Sequence, residues 1–428
     1  MSTTKIFDLI GIGIGPFNLS LAVMLEDHPN INAIFIEQKP SFNWHPGLLL
    51  PWARLQVPYF ADMVTLANPK SKFTYINYLH VTGQLFRFGA QENIFPLRIE
   101  YNNYCKWVAA QLPNLKFNHR CEKITYDMEN DTYTIHCSGK DLCNKTFHAK
   151  RLVIGVGTVP YIPGGIKIGS KIVHSCSYLY HKSEMLKSKN ITIIGSGQSA
   201  AEIYYDLLQH ADHLKTLQWF TRSRNIAPMD YSRFALEMAM PDYVEYFYNL
   251  PKETKKQILS TQTYLYKGIN QQLITQIHDA LHMLYASDHP LVTRVHTGTE
   301  ITNAQQLQND SLKLTFLHRD TKCQIDHQTN FLILATGYHT VIPAFLELIK
   351  NRINWDRHSQ YEISKYYTID KAESIFVQNA DLHSHGFNAA DLGMGQHRNM
   401  IIINQILNKE YYKIEHNTTV QSFHPLIG

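Results

Sequence analysis

No stretch of this chain approaches the ~20 consecutive apolar residues that cross a bilayer, and neither sign of charge dominates. Over 428 residues the formal net charge is only +4. Its lysines and arginines are scattered rather than striped, which argues against nucleic acid as the main partner. The six cysteines, Cys105, Cys121, Cys137, Cys143, Cys176 and Cys323, contain no C-x-x-C pair. Dispersed thiols fit a reducing cytoplasm and argue against a redox dithiol. Met1-Ser2-Thr3-Thr4-Lys5 runs straight into the first strand, so no leader peptide is expected. Histidine is plentiful, and His383-Ser384-His385 is its tightest pair. No third ligand follows at metal spacing, so no metal site is expected. The 44% apolar and 18% charged content is that of a globular protein, long enough for two or three domains.

What is present is glycine in two particular places. Gly11-Ile12-Gly13-Ile14-Gly15-Pro16 follows the apolar run Phe7-Asp8-Leu9-Ile10, and Gly195-Ser196-Gly197-Gln198-Ser199-Ala200 follows Ile191-Thr192-Ile193-Ile194. Each leads into a predicted helix, Phe17 to Leu25 and Ala201 to Leu208. A strand feeding a glycine turn and then a helix lets backbone amides approach a pyrophosphate at the helix N-terminus. One such motif is weak. Two in the right context predict two dinucleotides held face to face, a flavin and a nicotinamide. Pro16, in place of a third glycine, suits a first helical turn. The next strand, Ala33 to Ile36, ends at Glu37, an acid suited to the ribose hydroxyls of FAD. In the second unit the strand Leu217 to Thr221 ends at Arg222-Ser223-Arg224. A cation there favours a 2′-phosphate and hence NADPH, although an arginine at that place also reads as a surface residue.

The fold class is α/β: two Rossmann-like dinucleotide-binding domains with a helical substrate-binding insertion. Residues 1–170 and 331–428 are expected to form a discontinuous FAD domain, and 171–330 an NADPH domain. Residues 231–286, aromatic and poor in glycine, are expected to be the helical insertion. Strands are expected through 115–154, with Gly155 to Pro160 a crossover between domains. Phe331 to Leu334, running into Ala335-Thr336-Gly337-Tyr338, is expected to return the chain to the first unit. A strand Ile375 to Val377 and a helix from about Leu392 to Leu407 close the chain.

Taken in order, these motifs resemble the flavin-dependent N-hydroxylating monooxygenases of siderophore biosynthesis, the lysine/ornithine N-hydroxylases. The resemblance runs nearly end to end. It rests on Asp8 to Asn18, Phe42-Asn43-Trp44-His45-Pro46-Gly47, Gln56-Val57-Pro58 and Asn77-Tyr78-Leu79. It continues through the second glycine motif, Ala335-Thr336-Gly337-Tyr338 with Pro343, and His385-Gly386 with Leu392 and Arg398. It implies that NADPH reduces FAD, that reduced FAD and O₂ give a C4a-hydroperoxide, and that a neutral primary amine takes the distal oxygen. Gln56 then matches a glutamine near flavin and NADP, the one catalytic candidate, and Trp44 and His45 match a flavin-domain pair. Thr336, Gly337 and Leu392 are carried over as cofactor-binding. A homo-oligomer, dimer or tetramer, is also implied. An alkylammonium with a pKa of about 10.4 is only ~0.1% free base near neutrality, so deprotonation costs roughly 4 kcal/mol. A dry, aromatic pocket in the insertion would lower that cost.

The departures bear on the substrate. Amino-acid hydroxylases of the family typically read F-L-K-D-L-V-T after the glutamine, with the lysine on the substrate carboxylate. This chain reads Tyr59-Phe60-Ala61-Asp62-Met63-Val64-Thr65. Ornithine enzymes read F-V-N-E at the start of the insertion, where this chain has Phe234-Ala235-Leu236-Glu237. A buried carboxylate without its cation costs ~3–5 kcal/mol, so Ala61 and Leu236 point to a carboxylate-free amine: histamine or putrescine, with cadaverine next. The alternatives are L-lysine or L-ornithine hydroxylation, with Lys70, Lys72 or Lys267 taking over the carboxylate, and, more remotely, an FAD/NADP-binding redox protein without amine turnover. Leu55 for a methionine is conservative. Asn330, where the family has aspartate, has no account at this level.

Overall fold

The computed structural model describes residues 5–139, 142–309 and 311–425. Met1 to Thr4, on which the leader expectation rests, and the Cys143 side chain lie outside the described residues.

Two five-stranded parallel sheets form the frame. The first runs Ile375–Val377, Leu152–Ile154, Leu9–Ile12, Ala33–Ile36, Leu115–Lys116. The second runs Ile172–His174, Phe331–Leu334, Asn190–Ile194, Thr216–Phe220, Val292–His296. Leu9–Ile12, Leu152–Ile154 and Phe331–Leu334 are buried throughout, as expected where both faces of a parallel sheet are covered. Each unit also carries an antiparallel layer before its return strand: Arg120–Asp127, Thr132–Gly139 and Leu142–Ala149 in the first, with Ile6–Phe7 added in parallel at the edge, and Thr299–Gln306, Leu312–His318 and Gln324–Thr329 in the second. The plan therefore repeats, although the sequence repeats only at the glycine motifs.

The glycine turns superimpose in plan. Gly13 N donates to Ile36 O at 2.8 Å, and Gly195 N donates to Phe220 O at 3.0 Å. Gly15 and Gly197 are the N-caps of helices Pro16–Met24 and Gln198–Leu208. Gly13 has φ +88°, and a Cβ there would stand 2.5 Å from the carbonyl oxygen of Gly155. Gly11 is one register earlier than expected. It lies in the strand, where a Cβ would meet the Phe35 ring at 2.1 Å, so its role is strand packing rather than cofactor contact.

Two boundaries differ from the sequence expectation. Phe331–Leu334 pairs between Ile172–His174 and Asn190–Ile194, so it belongs to the second unit and the chain returns only after Leu334. A fully apolar four-residue run fits a central strand of either sheet, which is why the sequence did not decide it. The helix Gln271–Ala286 packs its Leu273, Ile277 and Ala280 face into the core of the second unit. It is that unit's crossover helix. The insertion proper is thus shorter: helices Arg233–Glu237, Pro241–Asn249 and Lys252–Thr261, with Tyr243, Phe247, Leu265 and Phe387 at its own small core.

Gly13→Ala should yield folded protein without flavin, because the added Cβ strains a positive φ and meets the Gly155 carbonyl. Flavin absorbance per protein and far-UV circular dichroism of the purified variant check this.

Candidate active site

A cleft of about 2330 Å³ opens between the two units. Ordinary ligand pockets are some 300–1,000 Å³, so this one has room for more than one ligand. Both glycine-led helices start without a side-chain cap, leaving their first amides free for phosphate oxygens. That arrangement fits a dinucleotide in each unit.

In the first unit Gly13, Gly15, Pro16, Glu37, Trp44 and His45 line the cleft. Glu37 accepts from Ile14 N at 2.9 Å and from Lys39 N at 3.0 Å, so it braces the glycine turn from the position where it would meet a ribose. Trp44 stands edge-on to His45, with ring centroids 4.9 Å apart, and its amide donates to Asn102 Oδ1 at 2.8 Å. In the second unit Gln198 and Ser199 reach the cleft, while Gly195 and Gly197 shape the turn behind them. Arg222 is exposed at the end of its strand, 3.8 Å from Glu300. Thr336 and Gly337 do not line the cleft. Thr336 Oγ1 donates to the Tyr161 carbonyl, and Gly337 O lies 3.1 Å from His174 Nε2. They fasten the crossover between units, and Tyr338 is the residue of that motif on the cleft wall. Asn190 Nδ2 donates to Asn330 Oδ1 at 2.6 Å, joining two strand ends. His383 contacts the Tyr361 carbonyl at 2.8 Å, whereas His385 stacks on Tyr367.

The middle of the cleft is held by a polar chain that the sequence did not reveal. Arg98, on helix Arg98–Ala109, forms a two-pronged ion pair with Glu202 of the second unit, with Nη1 2.8 Å from Oε2. Glu202 is fully buried. Burial pushes its carboxyl up, and Arg98 and Gln198 pull it back. Gln198 Nε2 donates to Glu202 Oε1 at 2.8 Å, and Gln56 Nε2 lies 3.4 Å from Gln198 Oε1. Tyr231 of the insertion donates to the Gln56 carbonyl at 2.8 Å. The signal available was an acid one turn after Gln198, on the buried face of a glycine-led helix.

Ala61, Leu236 and Leu392 all line the cleft. Ala61 is buried, and a Cβ on Gly393 would come within 3.6 Å of its own. The loop carrying Ala61 is fixed by Asp62, which accepts from the amides of Val64 at 2.9 Å and Thr65 at 2.8 Å. From the final helix, Leu392–Leu407, Gln396 Nε2 donates to the carbonyls of Phe60 and Asp62, both at 3.0 Å. The same helix is capped by Asp391, whose Oδ1 accepts from Met394 N at 3.1 Å. Asp391 lines the cleft. Loss of solvent holds its carboxyl above the usual range, against the Met394 and Gly393 amides and the more distant Arg398. Tyr231 nearby is raised by burial and then by the Asp391 charge. Lys70, Lys72 and Lys267 stay off the cleft wall; the lysines on it are Lys39, beside Glu37, and Lys413, on the C-terminal segment.

The family profile described as L-lysine 6-monooxygenase/L-ornithine 5-monooxygenase matches residues 5–340. The chain is 41% identical over 426 residues to a putrescine N-hydroxylase of Shewanella oneidensis, covering 98% of this chain and 84% of that protein. It resembles the crystal structure of the cadaverine monooxygenase of desferrioxamine biosynthesis from Erwinia amylovora, solved with FAD. There the TM-score is 0.95 and the identity 39%, with 99% of each chain covered. It also resembles an ornithine N-hydroxylase of Kutzneria sp. 744 solved with reduced FAD, NADP⁺ and L-ornithine, at a TM-score of 0.89 and 25% identity, over 94% of this chain and 99% of that one.

Glu202→Ala, which leaves Arg98 without its counter-charge, should cost about 3–5 kcal/mol in denaturant unfolding. An Arg98→Met/Glu202→Leu double variant should recover most of that loss.

Proposed function

We propose that this chain, which belongs to the L-lysine 6-monooxygenase/L-ornithine 5-monooxygenase family, N-hydroxylates an aliphatic diamine of the putrescine or cadaverine class for siderophore assembly. The balance is amine, O₂, NADPH and a proton to hydroxylamine, water and NADP⁺. When bound, NADPH supplies hydride and reduced FAD with O₂ supplies the transferred oxygen atom. The chain's own residues bind, orient and exclude water. The Gly13–Pro16 turn and Glu37 hold FAD. The Gly195–Ser199 turn holds NADPH, with Arg222 toward its 2′-phosphate. Gln56 and Gln198 sit where the two ligands would face each other.

The observation that carries the substrate reading is the pairing of Ala61 with Asp391. Where the amino-acid enzymes keep a cation for a carboxylate, this chain has a methyl group packed on Gly393 and a carboxylate nearby. The polarity at that end is reversed. Asp391 pairs with the distal ammonium of a diamine, while the apolar Ala61 and Leu236 leave the reacting nitrogen in surroundings that favour its neutral form. An alkylammonium, with an ordinary pKa of about 10.4, suits this carboxylate better than the imidazole of histamine, with an ordinary pKa of about 6.5. Among the described residues no helix is long and apolar enough to cross a membrane. The cytoplasmic setting and the homo-oligomer remain part of this reading; light scattering tests the latter.

Hydroxylamine product should form from putrescine and cadaverine, and little from histamine, lysine or ornithine. Product must be measured rather than NADPH loss, because uncoupled oxidation imitates turnover. Preferential use of lysine or ornithine would overturn the reading. Asp391→Asn should raise the diamine KM by about 30-fold or more, from the ~2 kcal/mol of a lost buried charge pair. Because the Asp391 carboxyl titrates above the usual range, wild-type diamine use should fall as pH drops and that group protonates. The Asn variant should lack this acid limb.

A further inference from the structure

The C-terminal segment after the last helix belongs to the cleft. It starts on the flavin unit, where Asn404 Oδ1 accepts from Tyr411 N and Tyr412 N, both at 2.9 Å, and Asn404 Nδ2 donates to Tyr412 O at 2.7 Å. It ends on the insertion. Asp242 accepts from Asn417 N at 3.0 Å, from Thr418 N, and from Thr418 Oγ1 at 2.8 Å. Glu237 accepts from Val420 N at 3.1 Å and Gln421 N at 2.9 Å. Gln421 Nε2 donates to the Phe234 carbonyl at 2.7 Å, and the Phe423 ring meets Tyr243 with centroids 5.0 Å apart. Between these anchors, Lys413 to Thr418 lines the same cleft as Ala61, Leu236 and Asp391.

Two carboxylates that each take several donors from one short segment make a specific clasp, since bonds to a charged acceptor are roughly twice as strong as neutral ones. Glu237 follows directly on Leu236, so the clasp and the chamber wall share one helical turn. We propose that Glu237 and Asp242 are positioning residues for the amine chamber: they hold residues 413–418 as its outer wall, which retains the diamine and keeps water from the reacting nitrogen. This rests on the reading of that end of the cleft as the amine site. Glu237 and Asp242 lie on helices Arg233–Glu237 and Pro241–Asn249, apart from the glycine turns of either unit.

The test is the full-length Glu237→Ala/Asp242→Ala protein, compared with wild type on whichever amine the wild type hydroxylates. Amine KM should rise about tenfold and hydroxylamine formed per NADPH should fall, with NADPH KM and flavin content unchanged. Limited proteolysis should cut the tail faster in the variant, and saturating putrescine should slow that cut in wild type. A freed tail with amine KM and product yield within twofold of wild type would overturn the proposal. So would a tail cut no faster than in wild type. Should the double variant fail to fold, Thr418→Val/Gln421→Leu weakens the same clasp from the tail side and must show the same split. Failure of the functional reading would show separately, as no hydroxylamine from any amine with the wild-type protein.

Discussion

The arrangement depends on one charge pair placed where charges are costly. Arg98 belongs to the first unit and Glu202 to a helix buried in the second. Removing either ion from water costs several kcal/mol, which only close pairing offsets. The two units therefore have few orientations in which neither charge is stranded. Gln198 carries the constraint from Glu202 forward to Gln56, at the centre of the cleft. On the other side Val159–Pro160 pairs with Tyr338–His339 as the chain crosses out and back. Two dinucleotide sites that must exchange hydride need this fixed facing geometry more than either needs a special side chain.

The amine end faces a different difficulty. A diamine must present one nitrogen as free base and can keep the other as ammonium. A uniformly apolar chamber would penalise the charged end, and a uniformly acidic one would hold both ends protonated. In the proposed site the final helix would resolve this by position. On the proposed reading its cap residue Asp391 supplies charge at one point, Gly393 lies beside Ala61, and Gln396 ties down the loop that carries Ala61. Cap, neighbouring glycine and loop anchor lie within two turns of one helix, so the proposed polarity of the chamber would be set by a rigid element rather than by a mobile loop.

Much of the frame was legible because it is local. Glycine turns between apolar runs and helices placed both dinucleotide units, and Ile375–Val377 and Leu392–Leu407 stand where the sequence put them. What failed was register and membership. Gly11 is a strand residue because the turn begins one glycine later, and Phe331–Leu334 pairs with the second sheet because four buried apolar residues carry no label for either sheet. Gln271–Ala286 was grouped with the insertion by helical pattern alone, although its buried face serves the second core. Glu202 and Arg98 come together from distant segments, which a single sequence does not report. Asp391 was readable as a helix cap, but its part in the chamber required knowing that Ala61 lies close by.

The most direct measurement compares kcat/KM for putrescine and butylamine, which share a four-carbon chain and differ by the second nitrogen. A carboxylate that holds the distal ammonium predicts a preference for putrescine of about 30-fold or more, from ~2 kcal/mol. Equal use of the two amines would mean that Asp391 does not recognise the second charge, and would contradict the account of the chamber.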